Sequence, residues 1–156
     1  MRIKNMMKKK VITVSPGDSI VSVLRLFSKN NISGAPVMDG KRVAGIITDS
    51  DIIANLDMHT PKVHFASSPD FLLILAGLKS RKGMDEIERE MRVMKRFLVE
   101  DFMVGKVFTL DPNDTMTNAA KIMNRRGINR IPVVDKKGRL VGIVARQDII
   151  RALTKC

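Results

Sequence analysis

The residues best suited to chemistry sit in two short polar breaks, each inside an otherwise apolar stretch. Thr48-Asp49-Ser50-Asp51 interrupts Gly45–Leu56 (GIITDSDIIANL), and Ala145-Arg146-Gln147-Asp148 interrupts Gly142–Leu153 (GIVARQDIIRAL). In each, an apolar run is followed by a polar step, an aspartate and an apolar tail with helical spacing. A helix that starts at the carboxyl end of a strand offers free backbone N–H groups and the positive end of its dipole. A carboxylate placed there can accept two hydrogen bonds from the cis hydroxyls of a ribose, as acids do in dinucleotide folds. Thr48 with Asp51 also reads as a capping box, worth about 1 kcal/mol of helix start. Ala145 has no hydroxyl to cap with, yet Asp148 is present, so a capping box does not account for the second aspartate.

Other chemistries find little support. His59 and His64 have no cysteine or third histidine in a metal-ligand pattern. There is no Walker-type glycine-rich loop, no Gly-x-Ser-x-Gly and no pair of catalytic carboxylates. Asp49 and Asp51 are close in sequence, but a helix start does not set them as an acid–base pair. No catalytic residue, catalytic cofactor or metal is therefore expected.

The elements that must position the two aspartates also occur twice. Val11–Val14 is predicted as a buried strand, closed by Ser15-Pro16-Gly17. Asp18 is expected to cap a helix whose stripe is Ile20, Val23, Leu24 and Phe27. Asn31 is expected to end it in a left-handed conformation. Ala35–Met38 is the next strand, Asp39-Gly40 a hairpin-type turn, Val43–Ile47 the last strand, and Thr48 opens a closing helix. The second copy follows element by element. Val107–Leu110 is the strand, Asp114 the cap, and Met116, Ala119, Ala120 and Met123 the stripe. Gly127 is the left-handed end, Ile131–Val134 and Leu140–Val144 are the strands, and Lys136-Lys137-Gly138 is a turn one residue longer.

This pattern predicts an α/β (α+β) fold, a three-strand, two-helix unit built twice. Each unit has little core of its own, so the two are expected to pack sheet to sheet as a pseudo-twofold pair with two related clefts. The domains are placed at 1–60, at 97–156, and in a helical segment at 61–96 between them. In that segment Ser67-Ser68-Pro69-Asp70 reads as a helix start before Phe71–Leu78. Met84, Ile87, Met91, Met94 and Leu98 recur as a helix seam, suited to packing on the repeats or to a dimer contact.

With both copies in view, the chain resembles a tandem pair of cystathionine-β-synthase (CBS) domains, a Bateman module. The resemblance covers residues 3–56 and 99–155. It rests on the hydrophobic-hydrophobic-Thr strand at Thr13 and Thr109, the Gly/Asn-Ile-x-x-x-Pro-Val-x-Asp segment, and the Gly-hydrophobic-hydrophobic-Thr/Ser-x-x-Asp ending. It implies clefts that bind adenosyl ligands such as AMP, ADP, ATP or S-adenosylmethionine, and frequent homodimerisation into a flat disk. It also implies nucleotide-binding roles for matching residues. Asp51 and Asp148 become ribose acceptors, and Thr48 the accompanying hydroxyl, from which Ala145 departs. Thr13 and Thr109 match the strand threonine. Ile32, Ser33, Ala35 and Pro36 in one copy, and Ile128, Asn129, Arg130, Ile131 and Pro132 in the other, match the segment lining the adenine and phosphate pocket. Arg130, where the first copy has Gly34, and Arg146 are suited to phosphate as bidentate, permanently charged donors. The difference between the copies thus predicts unequal sites, one furnished for phosphate and the other suited to a less charged adenosyl group or empty.

Composition bounds the alternatives. The net charge of +12 is spread along the chain without a basic tail, which fits a solvated surface or small anionic ligands. A nucleic-acid-binding or protein-interaction regulator is the alternative, but Trp and Tyr are absent, leaving few platforms for stacking bases. No apolar run approaches the ~18 residues of a membrane span. The basic N-terminus has no apolar stretch or cleavage site after it, so no leader is expected. Cys156 is the single cysteine, which predicts no internal disulfide and a reducing cytoplasm. An enzyme of the IMP-dehydrogenase type is disfavoured, because nothing outside the repeats has the length of a catalytic domain.

Overall fold

The structure, a computed structural model, describes residues 1–59, 92 and 95–154. Among these residues it is an α+β fold with two small two-stranded sheets. The elements of the first copy are α1 (Ile20–Asn30), β1 (Gly34–Asp39), β2 (Arg42–Thr48) and α2 (Asp49–His59). A short helix, α3 (Val99–Phe102), precedes the second copy: α4 (Met116–Arg126), β3 (Arg130–Val134), β4 (Leu140–Ala145) and α5 (Arg146–Leu153). The expected segment helices at 67–78 and 84–98 lie largely outside the described residues, as do the side chains of His59 and His64 and all of Cys156.

Two compact units result, and each mixes the copies. One holds Val14–Val37 and Gly45–Gly105; the other holds Met1–Thr13, Met38–Ala44 and Lys106–Cys156. The segment that leads into each copy thus belongs to the unit of the other copy. In the first unit Val99 and Phe102 of α3 join Ile20, Val23, Phe27, Ala35, Val37, Ile47 and Ile52 in one buried cluster. The Val99 N–H donates to Asp18 O at 2.9 Å and the Glu100 N–H to Pro16 O at 3.0 Å. In the second unit a single 3-10 turn, Ile3–Asn5, does the same work. Ile3 is buried among Leu110, Ala119, Met123, Ile131, Val133, Val144 and Ile149. Its N–H donates to Asp114 O at 2.9 Å, and the Lys4 N–H donates to Pro112 O at 2.8 Å.

Each leading segment then runs beside the last strand of its unit. Ile46 pairs with Val104, and Lys8 with Ile143, as isolated antiparallel bridges. The glycines that begin the repeated stretch make this possible. A Cβ at Gly45 would lie 2.8 Å from Met103 Sδ and 3.0 Å from Val104 O. A Cβ at Gly142 would lie 2.6 Å from Met7 Sδ and 3.2 Å from Lys8 O. Only glycine admits a neighbouring chain at such a distance.

The helices follow their apolar spacing. Ile20, Val23, Leu24 and Phe27 of α1 are buried, as are Ala119 and Met123 of α4, with Met116 and Ala120 packed beside them. α1 ends at Asn31 (φ 50°) and α4 at Gly127 (φ 63°), both left-handed as expected. The starts differ from expectation. The capping side chains are Ser19, which accepts from the Ser22 N–H, and Thr115, which accepts from the Asn118 N–H. Asp18 and Asp114 instead turn back and accept from the Ser15 N–H at 2.8 Å and the Asp111 N–H at 2.9 Å. Each carboxylate satisfies the preceding proline turn, which leaves the next hydroxyl to the helix.

The strands expected at 11–14 and 107–110 are reduced to single parallel bridges, Val14↔Val37 and Leu110↔Val133. Pro36 and Pro132 lie in the strands they meet. Their carbonyls accept from the Val14 and Leu110 N–H groups at 3.1 and 3.0 Å. Proline itself has no N–H to return a bond, which limits the ladder there. The β3–β4 pair is antiparallel, with a bulge that leaves Val141 between Gly142, opposite Val133, and Leu140, opposite Val134.

Candidate functional site

Both aspartates lie in the first turn of a helix that leaves its strand without a connecting loop. In the first unit the Thr48 N–H donates to Asp51 Oδ2 at 2.9 Å and the Thr48 hydroxyl donates to the same oxygen at 2.6 Å. The Asp51 N–H returns a bond to Thr48 Oγ1 at 3.2 Å, which completes the capping box read from the sequence. The Asp49 N–H is held by Ser33 O at 3.0 Å. That bond ties the helix start to the residue before β1. Ser33 is exposed and Ile32 is half-buried against the core. Ala35 and Pro36 are buried in β1. Thr13 is exposed, one residue before the Val14 bridge.

The second unit repeats this frame with different side chains. The Arg146 N–H donates to Asn129 O at 2.8 Å, the counterpart of the Asp49–Ser33 bond. The Ala145 N–H donates to Asp148 Oδ2 at 2.8 Å. Asp148 is the one buried charged residue among those described, at 6% exposure, and its Oδ1 faces Arg151 Nη1 at 3.9 Å. Arg130 is half-buried and stands directly across the ladder from Ala145. The register therefore brings Arg130, Arg146 and Asp148 to one end of the β3–β4 pair. Ile131 and Pro132 follow inside the core, Ile128 packs against it, and Asn129 is exposed. Thr109 is exposed, adjacent to the Leu110 bridge.

Sequence reasoning did not single out Arg151. Its counterpart in the first copy is Ala54, one turn beyond the aspartate. The signal was present in the aligned stretches GIITDSDIIANL and GIVARQDIIRAL, where arginine twice replaces an acid or a small residue near the aspartate.

Among the described residues no group of three or more His, Cys, Asp or Glu could hold a metal ion, and no helix is long and apolar enough to cross a membrane.

A family model described as the CBS domain matches residues 3–57 and 99–155. The chain is 40% identical over 155 residues to an uncharacterized protein of Methanocaldococcus jannaschii, MJ1426, covering 98% of this chain and 91% of that one. The CBS domain pair of protein MJ0100, solved in complex with 5′-methylthioadenosine and S-adenosyl-L-methionine, superposes with a TM-score of 0.71 at 24% identity, covering 99% of this chain and 97% of that one. CBSX2 of Arabidopsis thaliana, solved in complex with AMP, superposes with a TM-score of 0.69 at 22% identity, covering 99% and 96%. These two likenesses are likenesses of fold.

Proposed function

The chain belongs to the CBS domain family as a tandem pair, and from that premise we propose that it is a non-enzymatic sensor of adenosyl ligands. The observation that carries the reading is the repeated placement of Asp51 and Asp148. Each commits Oδ2 to a backbone N–H at its own helix start, and a ribose hydroxyl would take Oδ1, which in Asp148 meets Arg151 Nη1 at 3.9 Å. A ribose offers two hydroxyls at the spacing a carboxylate accepts. The fold is shared with CBS pairs solved in complex with AMP and with S-adenosyl-L-methionine, which supports an adenosyl group as the ligand class.

The two cradles would take different members of that class. Arg130 and Arg146 supply donors for phosphate beside Asp148. Asp51 has Gly34 and Asp49 at the matching positions, which favours a less charged adenosyl group. Ile32, Ser33, Ala35, Pro36 and Thr48 would line the first cradle. Thr109, Ile128, Asn129, Ile131 and Pro132 would line the second. The signal would pass through a shift in packing to a second copy of the chain or to a target protein.

A ligand that binds only the folded chain raises its melting temperature by mass action. Thermal shift against AMP, ADP, ATP and S-adenosylmethionine tests the reading. At least one should raise the melting temperature in proportion to the logarithm of its concentration. No shift with any of them at millimolar concentration would overturn it. A salt-sensitive affinity for nucleic acid in its place would favour the basic surface as the functional one.

A further inference from the structure

The two aspartates differ in their surroundings more than in their backbone frame. Three arginines lie near Asp148 in the fold or the chain. Arg130 stands across the ladder from Ala145, Arg146 opens α5, and Arg151 brings Nη1 to 3.9 Å from Oδ1. The matching positions of the first copy are Gly34, Asp49 and Ala54. Position for position, the second cradle carries three cations where the first carries an acid and two small residues.

The Arg151–Asp148 contact is itself unequal. The Asp148 side chain is 5% exposed and that of Arg151 is 59% exposed. A carboxylate as buried as this is costly unless its charge is met. Ala145 meets Oδ2 through a backbone N–H at 2.8 Å. Arg151 meets Oδ1 at the long end of ion-pair range, from a solvated and rotamer-rich side chain. Such a contact supplies charge, yet the guanidinium can leave without disturbing the core.

We propose that Arg151 is a specificity-determining residue of the second cradle, selecting adenosyl ligands that carry phosphate over those that do not. The proposal rests on the ribose reading of Asp148. A ribose hydroxyl that takes Asp148 Oδ1 displaces the guanidinium from it. An uncharged ligand such as adenosine gives the displaced cation nothing in return and leaves the buried carboxylate with a weaker partner. A phosphate gives it a new anion, which an arginine holds bidentately beside Arg130 and Arg146. At the matching position the first cradle has Ala54, which brings no charge to Asp51.

The test uses the full chain in an Asp51→Ala background, so that only the second cradle is read. AMP and adenosine are titrated by calorimetry into this parent and into its Arg151→Ala and Asp148→Ala derivatives, with melting curves to confirm folding. Arg151→Ala should raise the adenosine affinity and narrow the AMP-over-adenosine preference by roughly two- to fivefold, the range of a solvated ion pair. Asp148→Ala should abolish binding of both. A preference unchanged by Arg151→Ala, with binding still lost in Asp148→Ala, overturns the role of Arg151 alone. Binding that survives Asp148→Ala overturns the ribose reading and this proposal with it. If Asp148→Ala does not fold, Asp148→Asn, which keeps an acceptor for the Ala145 N–H, replaces it under the same criteria.

Discussion

Replacing Gly142 with alanine puts the leading segment under direct strain. The new Cβ would stand 2.6 Å from Met7 Sδ, 3.0 Å from Met7 Cγ and 3.2 Å from Lys8 O. The sulfur can swing away, since a methionine side chain is flexible. The carbonyl can move only with the backbone. That carbonyl accepts from the Ile143 N–H at 3.0 Å, and the Lys8 N–H donates to Ile143 O at 2.9 Å. Overpacking of this kind costs about 1–3 kcal/mol. For a chain of this size that lowers the melting temperature by roughly 2–12 °C. Thermal and urea melts of Gly142→Ala measure it. A double-mutant cycle with Met7→Ala then assigns the cause, because removing the sulfur leaves only the milder carbonyl contact. The loss in Gly142→Ala should therefore be smaller in the Met7→Ala background than in the parent. An alanine variant as stable as the parent would refute the close approach, whereas losses that simply add would refute the sulfur as its cause and leave the strain at the Lys8 carbonyl.

Further predictions follow from single contacts. Ile3→Ala should cost about 2–5 kcal/mol, as for any fully buried isoleucine, although Ile3 is the third residue of the chain; denaturant melts check it. Thr48→Ala should lose about 1 kcal/mol of helix start, because both directions of the Thr48–Asp51 exchange involve the hydroxyl. Asn31→Gly, at φ 50°, should raise the melting temperature slightly, since glycine adopts the left-handed region without a Cβ penalty. Asp135 accepts from the Lys137 and Arg139 N–H groups and pairs with the Arg139 guanidinium. Hydrogen bonds from Arg139 hold its carboxyl below the ordinary 3.8, so its stabilising effect is present above that pH and is lost as pH falls through the lowered value. The gap in melting temperature between the parent and Asp135→Asn should accordingly close on acidification.

Much of the fold was legible because it is written twice. The buried stripe of α1, the left-handed ends at Asn31 and Gly127, and the strand pairs all follow from local chemistry that both copies share. The helix starts were misassigned at Asp18 and Asp114. Aspartate and serine both cap well, and only the geometry of the Ser15 and Asp111 turns shows which oxygen is already taken. The exchange of leading segments was not legible. Met7 and Met103 stand at matching positions, but nothing local to either says which copy's glycine it covers. That choice depends on contacts between residues far apart in the chain, such as Ile3 with Asp114. The helix-start positions of Asp51 and Asp148 were legible from the repeat. The approach of Arg151 to Asp148 follows from their i, i+3 spacing on α5, whereas the burial of Asp148 depends on packing that no spacing encodes.

In the proposed function two aspartates, one in each copy, bind adenosyl ligands. Calorimetric titration of AMP and of S-adenosylmethionine into the parent, Asp51→Ala and Asp148→Ala tests it most directly. Each variant should lose one class of site and keep the other, with Asp148→Ala losing the one that prefers AMP. Unchanged stoichiometry in both variants would contradict the account.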